Sequence, residues 1–253
     1  MALIKIDELV TRYKVLGKGK PLLFLHGWGG SSDSFYRLQK ILSRDYKTIA
    51  LDLPGFGETD FPPSPWRVQD YKNFVLAFTQ KRGLETFCLI GHSFGGRIAI
   101  LLSALHPEKV EKLVLISAAG ITHEKSPEER AISFVAKLGK RIISLPLINR
   151  LEEPTRYLFY KLIRRQDYYL AKGVMRETIQ NVIREDLRKY LPNITLPTLI
   201  VWGDKDDVTP LADAYIMQKE IPHAKLKIIK GGSHYLPRKY WKELTRHIND
   251  FIK

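Results

Sequence analysis

The chain has 253 residues, is 44% hydrophobic and carries a formal net charge of +14. That apolar share excludes a disordered chain, and a single cysteine, Cys88, excludes an internal disulfide framework. No apolar run approaches the roughly 20 residues that span a bilayer, and the opening Met1-Ala2-Leu3-Ile4-Lys5-Ile6-Asp7 lacks a charged-then-apolar leader pattern. A cytoplasmic protein without a membrane span is therefore the expectation.

The positive charge is spread along the chain, and no zinc-finger spacing or RNA-recognition signature accompanies it. A nucleic-acid partner is not expected. A solvated basic surface accounts for the charge, with an anionic substrate, an anionic surface or an acidic partner protein as the alternatives.

Two short strands are predicted between about residues 2 and 16, closed by the turn Gly17-Lys18-Gly19-Lys20. Pro21 to Leu25 is an apolar strand running into His26-Gly27. Asp33 is expected to cap a helix whose Phe35, Leu38, Ile41 and Leu42 share one face. Thr48 to Leu51 reads as a buried strand, and Asp52 to Gly57 with Pro62, Pro63 and Pro65 as a loop. A helix follows from about Trp66 to Lys81. Thr86 to Gly91 is a strand holding Cys88, read as a small core residue. Phe94 to Leu105 is a helix stopped at Pro107, and Leu113 to Ser117 a strand.

From about Ile121 to Leu196 no strand signal occurs; the pattern is helical, rich in Lys and Arg, and broken at Pro127, Pro146 and Pro154. Strand signals resume at Thr198 to Trp202 and Leu226 to Ile229, and a helix from about Lys239 to Ile252 closes the chain. Short apolar strands alternating with helices specify the α/β class: a mainly parallel twisted sheet with helices on both faces. The organisation expected is a core of residues 1–120 and 197–253 interrupted by a helical cap, 121–196. Such a cap would lie over the carboxyl ends of the strands, where ligands bind.

Gly91-His92-Ser93-Phe94-Gly95-Gly96 contains G-x-S-x-G between a predicted strand and a predicted helix. That context has a mechanical reason. A serine on a sharp strand-to-helix turn is lifted clear of the sheet, and Gly91 and Gly95 let the turn pack closely. The helix N-terminus beside it favours developing negative charge. Ser93 is the candidate nucleophile.

A serine hydroxyl needs a base, and the base needs a carboxylate to orient it. Asp204, Asp206 and Asp207 all lie in the loop after the strand ending at Trp202, and the loop alone does not separate them. His234, after the turn Gly231-Gly232-Ser233, is the candidate base. His106, His123, His223 and His247 are expected to face solvent, and the side chain of His92 to point away from that of Ser93. His26-Gly27-Trp28-Gly29-Gly30 follows the first apolar parallel strand and would supply one oxyanion donor. Trp28 N–H and Phe94 N–H are the candidate pair. His26 is expected to bond within its own loop.

These segments, with Asp52-Leu53-Pro54-Gly55-Phe56-Gly57, Gly203-Asp204-Lys205-Asp206 through Pro210, and Gly232-Ser233-His234, resemble the α/β-hydrolase superfamily over essentially the whole chain. The resemblance implies an α/β-hydrolase fold with a helical cap. It selects Asp206, three residues after the strand-end glycine, as the acid. Serine at the elbow is unlike dehalogenases and epoxide hydrolases, which use aspartate there. Thr59 departs from a pattern that commonly has serine shortly after Gly57, with little consequence expected. The His-Gly-Trp-Gly and Asp-Leu-Pro-Gly-Phe-Gly segments are similar to serine carboxylesterases acting on short esters.

The resemblance thus implies hydrolysis of a small-molecule carboxylic ester without metal or organic cofactor. Lactone hydrolysis and C–C cleavage of keto acids are alternatives. Another is a carrier-protein methyl esterase, whose acidic partner would meet Arg156, Lys161, Arg164, Arg165 and Arg176. A ligand-sensing protein on a hydrolase scaffold is the non-enzymatic alternative. Phe134, Leu138, Tyr157, Leu158, Tyr160 and Tyr168 are candidates for an acyl pocket or for the cap's own core.

Overall fold

The structure is a computed structural model that describes residues 1–122 and 173–253. Its strands are β1 (Ala2–Ile6), β2 (Leu9–Leu16), β3 (Pro21–Leu25), β4 (Lys47–Leu51), β5 (Phe87–His92), β6 (Val110–Ile116), β7 (Thr198–Gly203) and β8 (Lys225–Ile229). They form one sheet in the order β1-β2-β4-β3-β5-β6-β7-β8. β1 pairs antiparallel with β2, and β2 antiparallel with β4; every later pairing is parallel.

The helices are α1 (Tyr36–Leu42), α2 (Val68–Lys81), α3 (Phe94–Leu105), α4 (Val174–Arg184), α5 (Leu211–Glu220), α6 (Leu236–Lys239) and α7 (Trp241–Ile252). Among the described residues no helix is long and apolar enough to cross a membrane.

The strand sequences explain the layering. Successive side chains point to opposite faces, so a strand buried on both sides reads as a continuous apolar run. In β3, Leu23 and Leu25 join the cluster beneath α2 and α3, while Leu22 and Phe24 join the cluster beneath α1 and α7. β5 repeats the division: Leu89 faces the first cluster, Cys88 and Ile90 the second. Cys88 is a buried core residue, as expected, and burial raises its thiol pKa to about 11. The edge strand β8 is mostly exposed and presents Lys225 and Lys227, charges that discourage pairing with another sheet.

Three boundaries differ from the sequence expectation. Asp33 does not cap α1: Ser31 accepts the Asp33 N–H, and a 3-10 turn, Ser32–Phe35, precedes the helix. The Asp33 carboxylate instead meets Lys14. The helix expected from Trp66 begins at Val68, because Arg67 is extended and Trp66 N–H donates to Thr178 Oγ1 at 3.1 Å. The terminal helix is two pieces broken at Tyr240, whose hydroxyl donates to the Gly231 carbonyl at 2.5 Å. Between β6 and β7 the described residues hold α4 and a 3-10 turn, Arg188–Asn193, and no strand. Phe134, Leu138, Arg156, Tyr157, Leu158, Tyr160, Lys161, Arg164, Arg165, Tyr168 and His123 lie outside the described residues.

The parallel register brings four strand ends to one edge of the sheet. Leu25 pairs with Gly91, His92 with Ile116, and Gly203 with Ile229. The segments after β3, β5, β7 and β8 therefore converge. The elbow packs tightly on β3 at Gly95, where a Cβ would sit 2.1 Å from the Leu25 carbonyl oxygen. Gly95→Ala is therefore expected to cost more than about 3 kcal/mol or to prevent accumulation of folded protein. Gly83→Ala, with φ 62° and nothing within 4 Å of its Cβ, should cost only about 1 kcal/mol. Urea unfolding of the two variants checks the contrast.

Candidate active site

Ser93 sits between β5 and α3 with φ 52° and ψ −112°, a strained conformation for a residue with a side chain. Its backbone is held on several sides. Ser93 N–H donates to the Ile116 carbonyl at 3.1 Å. The Ser93 carbonyl accepts Gly96 N–H at 2.9 Å and Ala119 N–H at 3.0 Å. The glycine at 91 has a packing reason like that at 95: a Cβ there would lie 2.5 Å from the Gly95 carbonyl oxygen.

Asp206 and His234 meet. His234 Nδ1 lies 3.1 and 3.0 Å from the two carboxylate oxygens of Asp206. Both side chains are withdrawn from solvent, at 0% exposure for Asp206 and 7% for His234. Asp206 Oδ1 also accepts the N–H groups of Val208 and Thr209, each at 2.9 Å. Thr209 Oγ1 lies 3.0 Å from Asp206 Oδ2 and 3.3 Å from His234 Nδ1. Burial pushes the Asp206 pKa up, but the bond and charge of His234 and the Thr209 N–H outweigh it and leave the pKa lowered.

Asp204 has a different task. Its carboxylate accepts Gly231 N–H at 2.6 Å, and Lys205 N–H donates to the Gly232 carbonyl at 2.9 Å. These two bonds lash the loop of Asp206 to the loop of His234.

The segment after β3 packs against the elbow: a Cβ on Gly27 would lie 3.2 Å from Ser93 Cβ. Among the described residues no hydrogen-bond acceptor engages Trp28 N–H or Phe94 N–H. The Trp28 ring meets Phe94 edge-on at 5.2 Å and Phe56 at 4.8 Å, so the segments carrying both amides are packed together. His26 bonds both within its own loop and to the loop after β4. Its Nε2 accepts Leu53 N–H at 3.0 Å, which leaves Nδ1 to donate to the Gly27 carbonyl at 2.8 Å.

Several supporting residues escaped the sequence reading. Asp52 accepts Ser32 N–H at 2.6 Å and Glu58 N–H at 3.0 Å, tying the two Gly-rich loops together. The buried Arg12 guanidinium, from β2, lies 3.4 Å from Asp52 and 3.0 Å from Glu58. Nothing in the pattern of β2 announced an inward arginine. Thr59 serves as a serine would: its hydroxyl donates to the Asp52 carbonyl at 2.8 Å and accepts Arg12 N–H at 3.0 Å. His92 Nε2 lies 2.9 Å from the His234 carbonyl oxygen.

The remaining histidines divide. His223 is exposed. His106 is one-third exposed and accepts from the buried Lys72 amine at 3.1 Å, whereas His247, 16% exposed and 3.6 Å from Glu243, is not solvent-facing as expected. Both sit where their helices pack on neighbours. Among the described residues no group of three or more His, Cys, Asp or Glu side chains converges as a metal site would require.

A family model described as alpha/beta hydrolase fold matches residues 20–237. The chain is 31% identical over 255 residues to AB hydrolase superfamily protein YisY of Bacillus subtilis, covering 91% of each chain. It is 28% identical over 247 residues to Lipase 1 of Psychrobacter immobilis, covering 90% of this chain and 75% of the lipase. Among solved structures it is similar to a bacterial membrane phospholipase A, with a TM-score of 0.77, 27% identity, and coverage of 99% of this chain and 84% of that one.

Burial of neutral imidazoles gives the site a pH signature. Desolvation lowers the His26 pKa from 6.5 to about 4 and the His92 pKa from 6.5 to about 3. Below 6.5 the unfolded chain takes up protons that the folded chain refuses. The stability is therefore fully present above pH 6.5 and lost as pH falls toward the folded values. The two rings together should remove roughly 4 kcal/mol of unfolding free energy between about pH 8 and pH 5. Urea unfolding across that range checks it; a flat profile would mean the rings are not buried neutral.

Proposed function

The chain belongs to the alpha/beta hydrolase family and is a hydrolase, and on that premise we propose that it cleaves carboxylic esters of small acids with Ser93 as nucleophile. The observation that carries this reading is the His234 Nδ1 contact with both oxygens of the Asp206 carboxylate, at 3.0 and 3.1 Å. A carboxylate so placed keeps the proton on Nδ1, so Nε2 is the nitrogen left to accept the Ser93 proton.

In this mechanism Ser93 Oγ attacks the ester carbonyl while His234 Nε2 takes its proton. The charge on His234 is stabilised by Asp206. The oxyanion of the tetrahedral intermediate is received by Trp28 N–H and Phe94 N–H, each donor contributing about 2.7–4 kcal/mol. His234 then protonates the leaving alcohol, and the acyl-enzyme is hydrolysed by the same steps with water in place of Ser93. The expected cap, 121–196, remains part of this proposal, and its described end, α4, lies against the loop after β4 and the start of α2. Two features of α4 support that placement: Met175 Sδ would lie 2.4 Å from a Cβ on Gly55, and Thr178 holds Trp66 N–H. The likeness to a lipase and to a phospholipase supports an ester as substrate.

The test is hydrolysis of p-nitrophenyl esters from acetate to palmitate. Wild-type turnover is expected to peak on short chains. Ser93→Ala and Asp206→Asn should each lower kcat by at least about 10⁴-fold without unfolding the protein. Folded wild-type protein that turns over no ester in the series would overturn the ester reading and direct the same assay to lactones and keto acids.

A further inference from the structure

His92 is the last residue of β5 and the covalent neighbour of Ser93, and it is 8% exposed. Its Nε2 lies 2.9 Å from the backbone carbonyl oxygen of His234. A carbonyl only accepts, so Nε2 must carry a proton and donate. The other nitrogen, Nδ1, faces the loop after β3, where a Cβ on Gly27 would lie 3.0 Å from it. One ring therefore touches three segments: the elbow that carries Ser93, the loop that carries Trp28, and the loop that carries His234.

The base loop needs such a hold. Its first residues are fixed by others: Gly231 by Asp204 and Tyr240, and Gly232 by Lys205. Its far side begins at Tyr235, whose carbonyl accepts Arg238 and Lys239 N–H. Between these anchors the His234 side chain bonds Asp206 through Nδ1, and its carbonyl bonds His92.

Resting on the serine-hydrolase reading, we propose that His92 is a positioning residue: by donating Nε2–H to the His234 carbonyl it sets the separation of base and nucleophile. The geometry is economical in a physical sense. Ser93 and His234 are 141 residues apart in the chain, yet this bond runs from the residue next to one to the backbone of the other. Small movements of the sheet then carry both together. Neutrality of the donor matters as well. His234 becomes a cation during proton transfer, and its ring centroid lies 5.0 Å from that of His92. A second cation there would oppose the step. Burial, reinforced by the charge of His234, keeps His92 neutral; the bond to the His234 carbonyl and Asp206 oppose this, and His26 acts with burial.

The test compares wild type, His92→Met, which keeps bulk and removes the donor, and His92→Gln, whose amide N–H reaches a similar distance. Ser93→Ala is the labelling control. The readouts are the second-order rate of Ser93 labelling by a fluorophosphonate probe, kcat and KM for p-nitrophenyl butyrate, and the unfolding temperature. The Met variant is expected to label about 10–100-fold more slowly and to lose as much in kcat, with KM within about threefold of wild type. The Gln variant should recover most of the rate. A Met variant that labels at the wild-type rate, or a folded Gln variant as slow as Met, would overturn the positioning role. Should the Met variant not fold, long-range nitrogen–proton NMR spectra of wild type decide: the Nε2–H tautomer at His92 supports the bond, and the Nδ1–H tautomer overturns it. Wild type that takes no label at Ser93, while folded, is the separate outcome that removes the serine-hydrolase reading itself.

Discussion

Ser93 holds a backbone conformation that an L-residue adopts only under compulsion, with φ 52° and ψ −112°. The compulsion comes from packing: α3 approaches the end of β3 so closely that only glycine fits at 95, against the Leu25 carbonyl. The strain is met by bonds on both sides of the turn, from Ile116 before it and Gly96 and Ala119 after it. A strand-to-helix turn this tight fixes the direction of the serine, the start of α3 and the position of Phe94 N–H at once. The loops of Asp206, His234 and the Trp28 amide are then arranged around a point that cannot move independently of the sheet.

Three buried imidazoles surround that point, and their hydrogen bonds sort them. His26 has one partner that donates and one that accepts, both backbone, so its tautomer is settled and its role is to join the loop after β3 to the loop after β4. His92 meets a carbonyl and is a donor. Only His234 meets a carboxylate. Desolvation alone would make every buried histidine a poor cation. Among these three, the carboxylate contact is found at the imidazole that the proposed chemistry requires to become charged.

The fold was legible because its strands are short apolar runs and its helices are punctuated by glycine and proline. The bounds of β3 and α3 follow directly from Pro21, the strand-ending His26-Gly27 and Pro107. The loops that carry the candidate acid and base were legible from their glycines and turn residues, but three aspartates share one of them and only the family resemblance selects Asp206. What was not legible depends on distance in the chain. Nothing local in β2 reveals that Arg12 turns inward to meet Asp52, 40 residues away. Nothing next to His92 reveals that its partner is a carbonyl 142 residues on. The start of α1 failed for a local reason: Ser31 and Asp33 both qualify as caps, and Asp33 is taken by a cation on a neighbouring strand.

The segment between β6 and β7 is tied to the same machinery at both of its described ends. Gly120 accepts Leu187 N–H at 2.8 Å, and Thr122 donates to Asp186 at 2.8 Å, so the outgoing and returning chains are held side by side. Arg97, one turn along α3 from Ser93, is buried and donates to the Glu185 carbonyl at 2.7 Å. Burial lowers its pKa to about 10, with Glu185, Asp186 and Asp213 opposing, so it remains charged at neutral pH. An uncompensated charge at that depth would be costly; the returning chain supplies the acceptor and the nearby carboxylates. The helix that begins at the proposed nucleophile therefore requires the returning chain to be docked.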